Sequence, residues 1–380
     1  MRILHTADLH LGRQFKGKPL DDDHATILDQ IARAVIDLRV DVLVIAGDIF
    51  DRAAPPASAV RQFNAFLSRV ASETKAAVVM IAGNHDSGDR IASMSIMTDT
   101  RRALIRGVVC ADEKPLLLSD KHGVVAFSGL PFSHEYAARE CFTDETMQTS
   151  EDVLVAQIAS ARRSVPDNAR RVLVAHAFVS GARGSEGERP LARAGGVEMA
   201  RPEIFDGLHY VALGHLHRPQ SVGVSHIRYS GSPLAFGFDE VDVAKSMSLV
   251  EIDGAGHATV EAVPFEHLRG VRTLRGKHAE LLLAKPSSDF IRVVLTDDVP
   301  VIDGMKRLWA VFPNACELVY ERNERAREIR PLAGTGKRMA DPIAVVGEFV
   351  DLVKDERMTE GEYNVIASAL HDIRCGKGVA

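Results

Sequence analysis

The sequence predicts an α/β protein of layered, largely parallel strands, and three observations point that way. Short, uninterrupted apolar runs recur through the first two thirds of the chain. Amphipathic helical patterns separate the early ones. Several runs end on a glycine followed at once by Asp, Asn or His, where a buried strand has no reason to turn polar.

The runs RIL, DVLVIAG, AAVVMIAG, VVAFSGL, RVLVAHA and HYVALGH read as buried strands. A helix is expected over about 21–38, with Ile27, Leu28, Ile31, Val35 and Leu38 on one stripe. A second is expected over about 57–70, carrying Val60, Phe63, Phe66, Leu67 and Val70. Residues 181–196, GARGSEGERPLARAGG, are Gly-rich and charged. They are expected to form a mobile surface loop, a tolerated insertion rather than a substrate-facing flap.

Near residue 265 the texture changes. VRTLRG, HAELLLA, DFIRVVLTD, VIDGMKRLWAVF and CELVYERN suggest a compact β-α-β-α-β unit over 266–325. The basic, apolar-poor stretch 326–340 reads as a linker, and its GTGKR does not satisfy a phosphate-binding loop. A helical hairpin is expected over 341–380. Asp341 and Pro342 open its first helix as N-cap and first residue, and Thr359 with Glu362 makes a capping box for the second. Two such helices beyond a linker have little core of their own, so docking on a partner chain is expected of them.

Composition narrows the class. The chain has 380 residues and a net charge of −6, the wrong sign for holding nucleic acid by bulk electrostatics alone. No apolar stretch approaches the length of a membrane span, and MRILHTADLH lacks the regions of a signal peptide. The four cysteines are scattered without C-x-x-C spacing, so they are read as reduced thiols in a cytoplasmic protein.

The chemistry-bearing residues sit at strand ends. HTADLH supplies Asp8 and His10, AGDIFD supplies Asp48, and AGNHD supplies Asn84 and His85. VAHA supplies His176, and ALGHLH supplies His215 and His217. Loops at the carboxyl ends of strands gather at one edge of an α/β sheet, so these residues can meet. In extended backbone i and i+2 face the same way, which pairs Asp8 with His10 and His215 with His217. Gly47, Gly83 and Gly214 are expected to permit sharp turns before the ligands. Mixed carboxylate, imidazole and carboxamide donors suit Mn²⁺, Fe²⁺ or Zn²⁺ better than Ca²⁺. Seven donors exceed the needs of one tetrahedral ion and favour two ions sharing a carboxylate. A pair of ions roughly 3.5–4 Å apart can clamp both the attacking and the leaving oxygen of a phosphoryl transfer.

The ordered series D-x-H, G-D, G-N-H-D, H and G-H-x-H resembles the signature of the calcineurin-like metallophosphoesterases. MRILHTADLHLG, AGDIFDRAAPP, AGNHDS, ALGHLHRPQ and RYSGSPLAFGFDE are further similar to blocks of the SbcD nuclease family. The likeness is good over residues 1–265 and looser through 266–325 and the terminal hairpin. It implies a two-sheet α-β-β-α sandwich with a small α/β capping domain that contacts DNA. It implies one metal on Asp8, His10 and His217, a second on Asn84, His176 and His215, and Asp48 between them. His85 would stay off the metals, near the scissile phosphate, as proton donor. Two Mn²⁺ ions, with Mg²⁺, Fe²⁺ or Zn²⁺ as alternatives, would support 3′-to-5′ exonuclease and single-strand or hairpin endonuclease activity. A homodimer through helices near 57–70 and 89–100 is implied, with the hairpin bound to the SMC-like ATPase SbcC. Some relatives carry a histidine where this chain has Asp51, so Asp51 receives no catalytic role. Arg13, Lys16 and Arg90 are read as solvated charge, and His5 as a core residue. The competing readings are a phosphatase or cyclic-nucleotide phosphodiesterase, and a scaffold that kept the fold and lost its metals.

Overall fold

A computed structural model describes residues 1–96, 98–188, 192–193, 196–197, 199–322, 359, 361–365 and 367–368. The linker expected over 326–340 and most of the hairpin expected over 341–380 lie outside these residues. The chain divides into two compact units, Met1–Leu318 and Val319–Ala380.

The first unit begins β1 (Arg2–Thr6), α1 (Asp21–Asp37), β2 (Val42–Ala46), α2 (Ala57–Glu73), β3 (Ala77–Ile81), α3 (Gly88–Ser93) and β4 (Ala103–Arg106). It continues β5 (Leu116–Asp120), β6 (Gly123–Leu130), α4 (Glu135–Phe142), α5 (Ser150–Arg163), β7 (Arg170–His176) and β8 (Tyr210–Gly214). Then come β9 (Gln220–Val222), β10 (Val224–Tyr229), β11 (Ser246–Ile252) and β12 (Ala258–Pro264).

These strands make two six-stranded sheets, ordered β12-β11-β1-β2-β3-β4 and β9-β10-β8-β7-β6-β5. The centre of each is parallel, as the strand–helix alternation predicts: β1, β2, β3 and β4 in one, β10, β8, β7 and β6 in the other. Antiparallel strands complete both edges of the second sheet and one edge of the first, whose other edge is the parallel β4. β4, β5, β11 and β12 fall outside the apolar runs expected as strands; β11, for instance, interleaves Ser246 and Ser248 with Met247 and Leu249.

Side-chain alternation explains why the sheets stack. Leu43 and Ile45 of β2 face a core shared with Ile27, Ile31, Phe63 and Phe66 of α1 and α2. Val42, Val44 and Ala46 point the other way, onto Phe127, Val172, Val174 and Tyr210 of the second sheet. Leu173 and Ala175 of β7 turn outward to Leu154 and Ile158 of α5. Period-two alternation with both faces covered gives the continuous apolar runs of the sequence and an α-β-β-α sandwich.

Downstream, β13 (Val271–Gly276), α6 (His278–Leu281), β14 (Phe290–Leu295), α7 (Gly304–Leu308) and β15 (Ala315–Tyr320) follow in the expected β-α-β-α-β order, with β14 central in a three-stranded sheet. Phe290 stacks on Phe15 with ring centroids 4.9 Å apart, and Arg269 pairs with Asp23 of α1. In the second unit residues 361–365 are helical, and Glu362 accepts from the Thr359 N–H (2.9 Å) and hydroxyl (2.8 Å). That is the expected cap. Among the described residues no helix is long and apolar enough to cross a membrane.

Candidate metal centre

The polar strand ends of both sheets converge beyond β1, β2, β3, β7 and β8. The chain past β1 and β2 keeps its pairing into the site: Asp8, His10 and Leu11 donate backbone N–H groups to Gly47, Asp48 and Ile49, each at 3.0 Å. Within this region Asp8, His10, Asp48 and His215 take φ of 53°, 46°, 50° and 106°. Non-glycine residues adopt such values at a cost of about 1–2 kcal/mol each. Four strained residues in one cluster mark a geometry imposed by function rather than by local propensity.

Gly47 supplies the sharp turn expected of it, at φ +88°. Gly83 and Gly214 serve a different purpose from the expected turn. A Cβ on Gly83 would strike Asp48, and one on Gly214 would strike the Ala46 carbonyl and come within 2.8 Å of His176 Nδ1. Both are sites of close approach between the two sheets, where a side chain has no room.

All eight predicted site residues lie in this cluster. His10 Nε2 is 3.2 Å from His217 Nε2, and ligand atoms of Asp8, His10 and His217 all fall within 4.8 Å of one another. Asn84 Oδ1 is 3.0 Å from His176 Nε2 and 3.0 Å from His215 Nδ1. Asp48 Oδ2 reaches both groups, lying 3.6 Å from His10 Nε2 and 3.5 Å from His176 Nε2. Asp8 accepts the His215 N–H at 2.9 and 3.1 Å, so its carboxylate binds the two ends of the series together.

These donors fit divalent cations. Carboxylate oxygens of Asp51 and Glu240 lie 3.7 Å from His10 Nδ1 and 3.8 Å from His217 Nδ1, beyond hydrogen-bond reach, whereas His176 Nδ1 donates to the Ala46 carbonyl at 2.9 Å. That arrangement turns the other nitrogen inward as a lone-pair donor. Charge points the same way. Burial drives the Asp8 carboxyl well above its usual range, while burial holds His215 down at about 3 and His217 at about 4. Burial also disfavours a charged His176, but the Asp48 carboxylate overrides it and lifts the imidazole to about 9. Burial thus leaves His215 and His217 neutral, with ring lone pairs available to a cation.

His85 is set apart. Its Nδ1 is 2.8 Å from the Asp51 carbonyl, which fixes the proton there, and its Nε2 is 3.9 Å from Asp48 Oδ2. Its ring meets that of His10 edge-on at 4.6 Å. Atoms of His10, Asp51 and His85 also fall within 4.8 Å of one another. Asp86 turns away and accepts three backbone N–H groups, from Ile49 (3.1 Å), Phe50 (2.9 Å) and Gly83 (2.9 Å).

The sequence reading missed several supports. Arg13 is not solvated charge: it donates to the Gly187 carbonyl at 2.8 Å and lies 4.3 Å over the Phe236 ring. The Gly-rich segment is not merely an exposed insertion, because its Glu188 accepts the His217 N–H at 2.7 Å. Asp51 holds the His85 imidazole through its carbonyl. Glu240 and Lys245 form a buried ion pair behind His217. Only the GFDE block hinted at any of these, through the resemblance of its surroundings.

The calcineurin-like phosphoesterase family matches residues 1–219, more than half of the chain, and the chain belongs to that family. Its members hydrolyse phosphate esters with divalent metal ions, in keeping with the Asp and His groups that converge here. One solved structure, described as "GAP50 the anchor in the inner membrane complex of Plasmodium", matches with a TM-score of 0.40 and 12% identity over 84% of this chain and 96% of that one.

Proposed function

We propose that the chain is an SbcD-type DNA nuclease, a two-metal phosphodiesterase that works with an SMC-like ATPase of the SbcC type on DNA ends and hairpins. The observation that carries the nuclease reading is that the SGSPLAFGFDE block, one of those that resemble SbcD, forms part of the site. Its Phe236 ring lies 5.2 Å from that of His10 and 5.3 Å from that of His217. The β-α-β-α-β segment after residue 270, packed on the sandwich through Phe290, supports the same reading. A hydrolase of small esters needs neither it nor a terminal hairpin.

Asp8, His10 and His217 would hold one cation, Asn84, His176 and His215 the other, with Asp48 shared between them. When bound, the cations supply Lewis-acid stabilisation of the phosphoryl oxygens and lower the pKa of an attacking water. His85, its Nδ1 proton fixed by the Asp51 carbonyl, presents Nε2 toward the cluster. There, as an imidazolium carrying a second proton on Nε2, it would stabilise the charge of the transition state and give that Nε2 proton to the departing ester oxygen as the P–O bond breaks, leaving the neutral ring with its Nδ1 proton. The hairpin over 341–380 would dock on the partner's coiled coil, the chain would pair as a homodimer in the cytoplasm, and ATP dependence would come from the partner.

Purified chain, alone and with the ATPase, should be assayed with Mn²⁺ on labelled duplex and hairpin DNA and on p-nitrophenyl phosphate, with and without ATP. Cleavage of the DNA substrates is expected. Hydrolysis of the small ester alone would favour a phosphatase and overturn the nuclease reading.

A further inference from the structure

The two halves of the metal centre are supported differently. His176 leans on a backbone carbonyl. His217 instead is held at three points by ionisable groups, of which Glu240 and Lys245 are buried. Its backbone N–H donates to Glu188 at 2.7 Å, its carbonyl accepts from Lys245 Nζ at 2.8 Å, and its Nδ1 faces Glu240 Oε1 at 3.8 Å.

Lys245 and Glu240 are themselves locked. The three hydrogens of the ammonium find three acceptors: the His217 carbonyl, Ser232 Oγ at 3.0 Å and Glu240 Oε2. The other oxygen of Glu240 accepts the Phe236 N–H at 3.1 Å, on the residue whose ring abuts His10 and His217. Breaking a buried pair of this kind strands the remaining charge, so both members hold their positions firmly. The grip reaches the inward nitrogen of His217, which faces His10.

We infer that Glu240 and Lys245 are positioning residues that pre-set His217, and with it only one of the two cation sites, the one shared with Asp8 and His10. The other site, on Asn84, His176 and His215, stands independently of them. This rests on the two-cation reading above. Loss of an outer partner of a ligating histidine lowers metal affinity roughly 10–100-fold.

The test is isothermal titration of the full-length, metal-stripped chain with Mn²⁺, and with Co²⁺ followed by visible absorption. Lys245→Met and Glu240→Gln should each weaken one equivalent of metal about 10–100-fold, leave the other at wild-type affinity and alter the Co²⁺ spectrum. The weakened equivalent should be the one that His10→Ala abolishes. Val250→Ala, a core substitution between the sheets, serves as a destabilised control and should leave both equivalents intact. If a single variant does not fold, Glu240→Leu with Lys245→Met removes both charges together, a change that buried pairs often tolerate. Retention of both equivalents at wild-type affinity in the folded variants would overturn the inference. So would equal weakening of the two. Fewer than two equivalents in the wild-type chain would instead overturn the two-cation reading itself.

Discussion

His10 and His217 face each other nitrogen to nitrogen, Nε2 to Nε2, at 3.2 Å, although 207 residues separate them in the chain. One proton fits between the two facing nitrogens, but a second would set N–H against N–H, and burial resists charging either ring: His10 is held well below its usual range and His217 at about 4. A cation bound between them relieves the conflict by using both lone pairs. Metal removal should therefore destabilise the fold. At free Mn²⁺ one hundredfold above its Kd, binding to one site stabilises by about 2.7 kcal/mol. Chelation with EDTA should lower the thermal midpoint by several degrees, and excess Mn²⁺ should restore it. An unchanged midpoint would argue against a preformed metal site.

His85→Ala should keep both metals and lose cleavage by roughly 10²–10⁴-fold, the usual worth of a positioned proton donor. The substitution spares the backbone: the His85 N–H that donates to Asp48 Oδ1 at 2.9 Å remains. What disappears is the ring with its nitrogen toward the cluster. Metal content by mass spectrometry and cleavage kinetics decide the matter together. Loss of both metals in this variant would mean that His85 is a ligand.

The sandwich was legible because buried parallel strands write continuous apolar runs, and the ligands because each interrupts one. What stayed hidden was support that depends on distant partners. Lys245 lies just before β11 with no local reason to be buried, and its role exists only because His217, 28 residues earlier, returns to meet it. Arg13 looked like surface charge until Phe236 and the Gly187 carbonyl arrived from more than 170 residues away. Antiparallel strands such as β11 were missed for a related reason. Ser248 is buried and bonded to Arg228 at 3.1 Å, so a polar residue interrupts the pattern without being exposed.

Asp86 tests the loop that carries Asn84 and His85. Burial and the Asp48 charge push its carboxyl up to about 7, while three backbone N–H groups pull the other way. Asp86→Ala would leave those N–H groups without their acceptor, at a cost of about 3 kcal/mol or more. Asp86→Asn keeps one oxygen, and with the carboxyl so near neutrality it should cost much less. Urea denaturation measures the difference, and the Ala variant should also lose cleavage as the loop shifts. Equal stabilities for the two variants would show that the carboxyl does not organise the turn.

Two histidines outside the centre add a share of their own to the pH dependence of stability. Burial holds His5 at about 3 and His24 at about 4, against 6.5 for an unhindered imidazole. Above pH 6.5 both rings are neutral in folded and unfolded chains alike, and neither contributes a slope. Below it the unfolded chain binds protons that the folded chain refuses, so stability falls as pH drops from 6.5 toward 4. Each histidine contributes up to about 1.4 kcal/mol per pH unit in that window. Urea unfolding in EDTA at pH 7.5, 6, 5 and 4.5 should show this decline. His24→Leu, which keeps the site filled with a side chain that cannot titrate, should flatten it by about one histidine's share. The slope is the measurement, since the substitution also changes stability at every pH. An identical slope in wild type and variant would mean that His24 takes up its proton in the folded protein.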